Sequence, residues 1–146
     1  MKREIVIFSK RVRAVFQSDR EKIELPFFSG FPKNSCRGAS IFLGYLLNER
    51  FPDSMVQLIH GSNRYKNEHH YWLEVDGYIF DITADQFDQF SSPIYASLTN
   101  PLQIHFPVIE RSCVIESYND YEIEDKLKRD ILDALRLMQQ SCKLPF

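Results

Sequence analysis

The sequence predicts an α+β fold, in which a helix that carries a cysteine packs on an antiparallel sheet and a second helix follows near the carboxyl end. Three observations favour it: an amphipathic run over Cys36–Arg50, two strand-like runs joined by Asp76-Gly77, and a long apolar stripe within Asp120–Gln140. Helical and strand-like segments fall into separate blocks, which favours α+β over a wound parallel sheet. We expect residues 1–146 to form a single domain.

The composition argues against several classes of protein. Hydrophobic residues make up 44% of the chain and charged residues 26%, as in globular rather than disordered proteins. The net charge of −2 gives no electrostatic case for a nucleic-acid or membrane-surface partner. The longest apolar stretch, about Ile41–Leu47, is far shorter than the roughly 20 residues of a membrane span. We therefore expect neither nucleic acid nor a membrane as a partner.

The sequence also predicts a reducing, cytoplasmic location. The first residues are basic, but their apolar core has only four residues, whereas a secretory signal needs about 7–15. The three cysteines, Cys36, Cys113 and Cys142, are too widely spaced for a disulfide framework. We therefore expect no signal peptide and free thiols.

The first part of the chain leaves some alternatives open. Glu4–Phe8 can form a strand, and Val12–Phe16 either continues it or begins a short helix. Pro26–Pro32 contains several breakers and is predicted to be a loop. The basic residues of this part are predicted to form a solvated face: Arg11, Arg13, Arg20 and Lys22. Three aromatic residues either line a substrate groove or belong to the core: Phe27, Phe28 and Phe31.

A helix is predicted over Cys36–Arg50. Its apolar residues follow the i, i+3, i+4, i+7 spacing of an amphipathic helix: Ala39, Phe42, Leu43, Leu46 and Leu47. Asn34 or Ser35 is expected to cap it by accepting a hydrogen bond from a free backbone N–H group. Pro52 is expected to end it.

Several strands are predicted after this helix. Met55–His60 is read as a strand and Gly61–Glu68 as a polar loop. Asp76-Gly77 is a strong hairpin signal, and it joins the predicted strands His70–Asp76 and Tyr78–Thr83.

The last third of the chain is predicted to hold two more strands and a long helix. The strands are placed at Leu102–Phe106 and Ser112–Tyr118, and the helix at Asp120–Gln140. Acidic residues in the first turn of that helix suit its dipole. Its apolar stripe is expected to pack on the core of this chain: Ile123, Leu127, Ile131, Leu135 and Met138.

Cys36 is the first candidate for chemistry, because it lies at the amino end of the predicted helix. Free backbone N–H groups and the helix dipole favour a thiolate at that position. Cys113 and Cys142 lack such a setting, and we expect both to be small core residues.

The hairpin supplies the second and third candidates. A two-residue turn at Asp76-Gly77 places Val75 opposite Tyr78 and, farther along, Trp72 opposite Asp81. Since side chains alternate between faces, His70, Trp72, Asp81 and Thr83 share one face, and His69 points to the other. His70 and Asp81 are diagonal neighbours on that face. A carboxylate there can fix the tautomer of the imidazole and stabilise its cation.

Acyl transfer by a nucleophile requires three kinds of residue, and Cys36, His70 and Asp81 supply them: a nucleophile, a base and a group that orients the base. It also requires hydrogen-bond donors for the oxyanion. The backbone N–H of Cys36 is one such donor. Asn34 or Gln57 is a weaker candidate for a side-chain donor.

These segments resemble the transglutaminase-like core of the papain-like cysteine peptidase superfamily, of the bacterial transglutaminase-like cysteine proteinase type. His70-Tyr71-Trp72-Leu73-Glu74-Val75 matches its His-x-Trp-x-Glu strand, and Tyr78-Ile79-Phe80-Asp81-Ile82-Thr83 its aromatic-x-Asp-x-Thr strand. Ser35-Cys36-Arg37-Gly38-Ala39-Ser40 is similar to its helix-start cysteine. The resemblance covers roughly 31–87. The interval from Cys36 to His70, 34 residues, is short for this superfamily.

The resemblance implies a thiol-dependent peptidase, amidase or Gln deamidase that acts on a protein or peptide amide through a thioester. In it Cys36 is the nucleophile, His70 the general base and acid, and Asp81 the orienting carboxylate, while Trp72 packs beside the site. No cofactor is expected. Crosslinking by an amine acceptor is the less favoured outcome, since water is always available.

Two alternatives remain open. Cys36, His60, His69, His70 and Asp81 include metal-ligand types, but no C-x-x-C or H-E-x-x-H spacing is present, so no metal is expected. The other alternative is a catalytically inactive binding module that retains the transglutaminase-like fold.

Overall fold

The predicted α+β class is confirmed. The structure, a computed structural model, describes residues 2–19, 23, 25 and 28–141. Its helices are α1 (Lys2–Ser18), α2 (Cys36–Arg50), α3 (Val114–Asp120) and α4 (Asp125–Ser141). Its strands are β1 (Val56–Asn63), β2 (Glu68–Val75), β3 (Tyr78–Asp81), β4 (Ile94–Ser97) and β5 (Val108–Cys113). The strands form one antiparallel sheet in the order β4-β3-β2-β1-β5.

The β2–β3 hairpin has the predicted register. Asp76 and Gly77 both have positive φ, 50° and 83°, as in a type I′ turn, whose twist matches that of the strands. Val75 lies opposite Tyr78, and Leu73 opposite Phe80. The predicted polar loop over Gly61–Glu68 was too long, because β1 continues to Asn63 and only residues 64–67 connect it to β2.

The strand predicted at Glu4–Phe8 is wrong, since α1 covers all of Lys2–Ser18. Ile5, Val12 and Phe16 are buried along one face of this helix at intervals of seven and four residues. The predicted solvated face is wrong for Arg13, which is only 7% exposed. Arg20 and Lys22 lie outside the described residues.

The predictions for the last third are partly wrong. A short 3-10 helix, Pro101–Ile104, replaces the strand predicted at Leu102–Phe106. The strand predicted at Ser112–Tyr118 is wrong as well, because β5 ends at Cys113 and α3 follows. Cys113 is exposed rather than a core residue, and Cys142 lies outside the described residues.

The final helix begins later than predicted. Asp120 ends α3, and α4 starts five residues on, at Asp125. Ile131 and Leu135 of the predicted stripe are buried in the core, whereas the side chain of Met138 lies outside what the structure describes.

The two faces of the sheet are covered differently. One face packs against α1 and α2, with Leu58, Leu73 and Phe80 in the larger core cluster. Phe28 and Phe31 also belong to that cluster, so the core alternative holds for these two aromatic residues, and Phe27 lies outside the described part. The other face forms a smaller cluster with loop residues: Ile59, Trp72, Ile79, Ala84, Leu102 and Phe106.

Phe106 and Trp72 of this second cluster pack closely against Gly61 of β1. A Cβ atom at Gly61 would lie 2.5 Å from the carbonyl oxygen of Phe106 and 2.8 Å from the ring of Trp72. We expect Gly61→Ala to lower the free energy of unfolding by about 1–3 kcal/mol, because a backbone atom must move. Urea unfolding measures this. Gly30→Ala, where a Cβ meets nothing within 4 Å, is the control, and equal losses in both variants would contradict the packing argument.

Candidate active site

Cys36 is the first residue of α2, as predicted, and its side chain is partly exposed. The predicted side-chain cap is wrong. Ser35 occupies the capping position, but with φ −110° and ψ 8° it leaves the extended conformation that a cap prefers, and its side chain makes no capping bond. The Ser35 hydroxyl instead donates to the Lys33 carbonyl at 3.3 Å. The first N–H groups of α2 therefore have no side-chain acceptor from the capping residue.

His70 and Asp81 form a buried pair. Nε2 of His70 lies 2.6 Å from Oδ2 of Asp81, and the side chains are 0% and 1% exposed. The other carboxylate oxygen, Oδ1, accepts hydrogen bonds from the backbone N–H of Thr83 at 3.2 Å and from its hydroxyl at 3.4 Å. Both oxygens of Asp81 are thus engaged, which fixes the orientation of the carboxylate.

The Cys36 side chain reaches the same imidazole. Nδ1, the ring nitrogen that Asp81 does not occupy, is buried and has no hydrogen-bond partner of ordinary geometry. The Cys36 side chain is close enough to the His70 ring to raise its pKa. Since Nε2 is bound to Asp81, Nδ1 is the nitrogen that is left for the thiol.

This arrangement favours the charged form of His70. Burial by itself lowers the pKa of the imidazole, but the charge and hydrogen bond of Asp81, followed by those of Cys36, raise that pKa to about 10. A protonated imidazole between a carboxylate and a sulphur atom is the ion-pair state of a reactive cysteine.

Aromatic rings shield the imidazole from water. The ring centroids of Trp72, Phe87 and Phe106 lie 5.7, 5.1 and 5.4 Å from that of His70. Trp72 therefore lies beside the site, and its indole Nε1 is buried without a partner. In such a water-poor environment the charges of the site interact more strongly than they would in water.

Gln86 is a further residue of the site, and it connects the two halves. Its Nε2 donates to the hydroxyl of Thr83 at 3.3 Å, and its Oε1 accepts from the backbone N–H of Asn34 at 3.4 Å. A chain of hydrogen bonds thus runs from Asp81 through Thr83 and Gln86 to the segment just before Cys36. No pattern in the sequence indicated Gln86, because Asn34 is 52 residues away.

The two candidate side-chain donors for an oxyanion, Asn34 and Gln57, differ in their position relative to the site. Asn34 lies two residues before Cys36, with φ 60° and an exposed side chain. Gln57 lies opposite Glu74, whereas Gly61 lies opposite His70. Four residues along β1 correspond to roughly 13 Å, so the structure does not bring Gln57 to the site.

His69 points away from the site, as the strand alternation predicts. It is exposed, and its Nδ1 lies 2.8 Å from Nε2 of His60. Burial, followed by the neighbouring His69, lowers the pKa of His60. In the part of the chain that the structure describes, His, Cys, Asp and Glu side chains form no group of three suited to a metal ion.

A charged and aromatic surface adjoins Cys36. The guanidinium of Arg37 lies over the rings of Tyr71 and Tyr121, at 5.6 and 5.3 Å from their centroids. A cavity of about 390 Å³ opens beside Arg37 and Tyr71, with Glu110 and Glu116 in its wall. Cys36 itself does not line this cavity, and His70 is enclosed.

Comparisons with known proteins identify no family for this chain. No family model, curated protein or solved structure matches it. Within residues 2–19, 23, 25 and 28–141, none of the helices combines the length and apolar character that crossing a membrane requires. The function is therefore inferred from the geometry of the site.

Proposed function

We propose that this chain is a thiol-dependent acyl-transfer enzyme, a peptidase, amidase or Gln deamidase that acts on a protein or peptide amide. Cys36 is its nucleophile, His70 its general base and acid, and Asp81 the residue that orients His70. The observation that carries the proposal is the buried 2.6 Å bond between His70 and Asp81, with Cys36 close enough to the same ring to raise its pKa. The resemblance to the transglutaminase-like core supports the same roles.

The proposed reaction passes through a thioester. The Cys36 thiolate attacks the amide carbonyl carbon, and the oxyanion that forms is held by the backbone N–H of Cys36. Protonated His70 then gives its proton to the leaving nitrogen, and the C–N bond breaks. The neutral imidazole next takes a proton from water as the water oxygen attacks the thioester carbonyl carbon. The C–S bond then breaks, which releases the acid and restores the thiolate–imidazolium pair.

The burial of the pair favours an enzyme over an inactive binding module. Removing a carboxylate and an imidazolium from water costs several kcal/mol each, and apolar residues of similar size would stabilise the fold equally well or better. A buried imidazole whose pKa is raised by a specific carboxylate is typical of functional sites. A module that only binds has no use for an imidazole held between a carboxylate and a thiol.

The surroundings suit a substrate that approaches from the protein surface. Cys36 is partly exposed while His70 is enclosed, so an amide reaches the sulphur from the protein surface. We place the enzyme in the cytoplasm, where a reducing environment keeps Cys36 as a free thiol.

Acylation by p-nitrophenyl acetate tests the proposal without a known substrate. We expect acetylation of Cys36 at neutral pH, located by peptide mass spectrometry, and continued release of p-nitrophenolate as the thioester is hydrolysed. Cys36→Ser should abolish both, whereas Cys113→Ser, which changes an exposed thiol, should retain them.

The same experiment separates the enzyme from the binding module. Acetylation of Cys36 at the rate of Cys113, or an acetyl group that is not released, would favour the inactive module. A mixture of peptides, analysed for cleavage and for conversion of Gln to Glu, then distinguishes a peptidase from a deamidase.

A further inference from the structure

Arg13 of α1 is a buried cation that the proposed mechanism does not use. Only 7% of the residue is exposed, although an arginine on an amphipathic helix usually points to solvent. A buried guanidinium requires partners for its charge and its N–H groups. The partners of Arg13 lie next to both halves of the candidate active site.

The first set of partners follows Asp81 in the chain. Nη1 of Arg13 donates to the carbonyl of Ile82, the residue immediately after Asp81. Nη1 and Nη2 also bind the two carboxylate oxygens of Asp85, at 2.8 and 2.7 Å. Such a bidentate ion pair fixes the relative orientation of the two side chains as well as their distance, because the guanidinium is planar and rigid. Arg13 therefore holds the backbone from Ile82 to Asp85.

The second partner precedes Cys36. The guanidinium lies 4.7 Å from the ring centroid of Phe31, which is five residues before the cysteine. Phe31 is buried against Phe28 and Phe16, with ring centroids 5.4 and 5.7 Å away, so packing holds its ring in position. A cation over an aromatic face is attracted by the electrons of the ring, and burial strengthens that attraction.

Gln86 joins the same two segments at a second point. Its side chain connects Thr83, in the segment after Asp81, with Asn34, in the segment before Cys36. Gln86 directly follows Asp85, so the Arg13 pair and the Gln86 bridge belong to one turn. The segments that carry the orienting carboxylate and the nucleophile are thus connected twice.

We propose that Arg13 is a positioning residue of this active site, which holds the Ile82–Asp85 turn against the Phe31 segment and so fixes Asp81 and His70 relative to Cys36. The proposal rests on the proposed function, since it requires a Cys36–His70 pair whose geometry matters. A misplacement of about 1 Å in such a pair costs about 100-fold in rate.

Arg13→Lys and Asp85→Asn test this role. Lysine at position 13 keeps the positive charge but cannot form the bidentate ion pair. Asparagine at position 85 keeps the size of the side chain but removes its charge. The readout is the rate of Cys36 alkylation by iodoacetamide at about pH 6.5, divided by the rate at about pH 9.5, where an ordinary thiol is largely ionised. Dividing the two rates removes differences in access to the thiol and in its intrinsic reactivity.

We expect each variant to lower this ratio by about 10-fold, because a displaced imidazolium stabilises the Cys36 thiolate less at the lower pH. Arg136→Lys is the matched control. Arg136 forms a similar pair with Glu49, at 2.5 and 3.0 Å, near the opposite end of α2 and roughly 20 Å from Cys36. It should leave the ratio unchanged even if it lowers stability, which circular dichroism monitors.

The outcomes are distinct. A folded Arg13→Lys protein with the wild-type ratio would overturn the proposal. If that variant does not fold, Asp85→Asn decides in the same way, since Asp85 retains partial exposure and tolerates a neutral partner more readily. If wild-type Cys36 shows no more reactivity at the lower pH than Cys113, the proposed function itself fails. A lowered ratio in both variants, with an unchanged control, supports the positioning role.

Discussion

Consider the rate of Cys36 alkylation at about pH 6.5 divided by the rate at about pH 9.5. Replacing His70 by alanine should lower this ratio by about 100-fold. In the wild type the imidazole of His70 carries a positive charge beside the sulphur over this whole range, because Asp81 and Cys36 outweigh burial and raise its pKa to about 10. Without it the sulphur behaves as an ordinary thiol, of which about 1% is ionised at the lower pH. Peptide mass spectrometry after timed iodoacetamide treatment measures both rates.

Two further variants make this result specific. His70→Gln retains a hydrogen-bond donor for the buried Asp81 carboxylate, so it separates the loss of the cation from a loss of folding. His69→Ala removes a neighbouring imidazole that faces the other side of the sheet and should leave the ratio unchanged. A wild-type ratio in both His70 variants would show that Cys36 reacts independently of this histidine, and the triad would have to be abandoned.

Local signals were sufficient to predict the centre of the site. The Asp76-Gly77 turn determines the hairpin, and its register places His70 and Asp81 on one face. Helix α2 has the predicted bounds because its apolar periodicity, the preceding loop and Pro52 all agree. The residues proposed as nucleophile, base and orienting carboxylate all lie on these two elements.

The supporting residues depend on contacts between distant parts of the chain. The sequence predicts a solvated face for Arg13, because no local pattern indicates its partner Asp85, which is 72 residues away. The run Glu4–Phe8 has the β-branched composition of a strand, and only the wider spacing of Ile5, Val12 and Phe16 shows the helix. Strand β4 has no strong pattern of its own and forms by pairing with β3.

Of the proposed variants, Asp81→Asn should lower the free energy of unfolding the most, by about 3–5 kcal/mol near neutral pH. The reason is that it leaves a buried imidazole without its countercharge. His70 has a folded-state pKa raised above its ordinary 6.5 to about 10, since Asp81 and Cys36 outweigh the lowering effect of burial. A group with a raised pKa contributes stability that is fully present below the unfolded value and is lost as the pH rises through the folded value. The difference between wild type and Asp81→Asn should therefore be largest at and below about pH 6.5.

Urea unfolding at several pH values, with reductant present, tests both the size and the sign of this effect. As the pH rises through about 10, the difference should fall toward the roughly 1 kcal/mol of an ordinary hydrogen bond. Asp76→Asn is the control, because this exposed carboxylate accepts a backbone hydrogen bond from Met55 at 2.8 Å and has no imidazole partner. Its effect should be small and should not change over the same pH range. A constant difference for Asp81→Asn would mean that His70 is neutral throughout, and the ion-pair state on which the mechanism depends would be wrong.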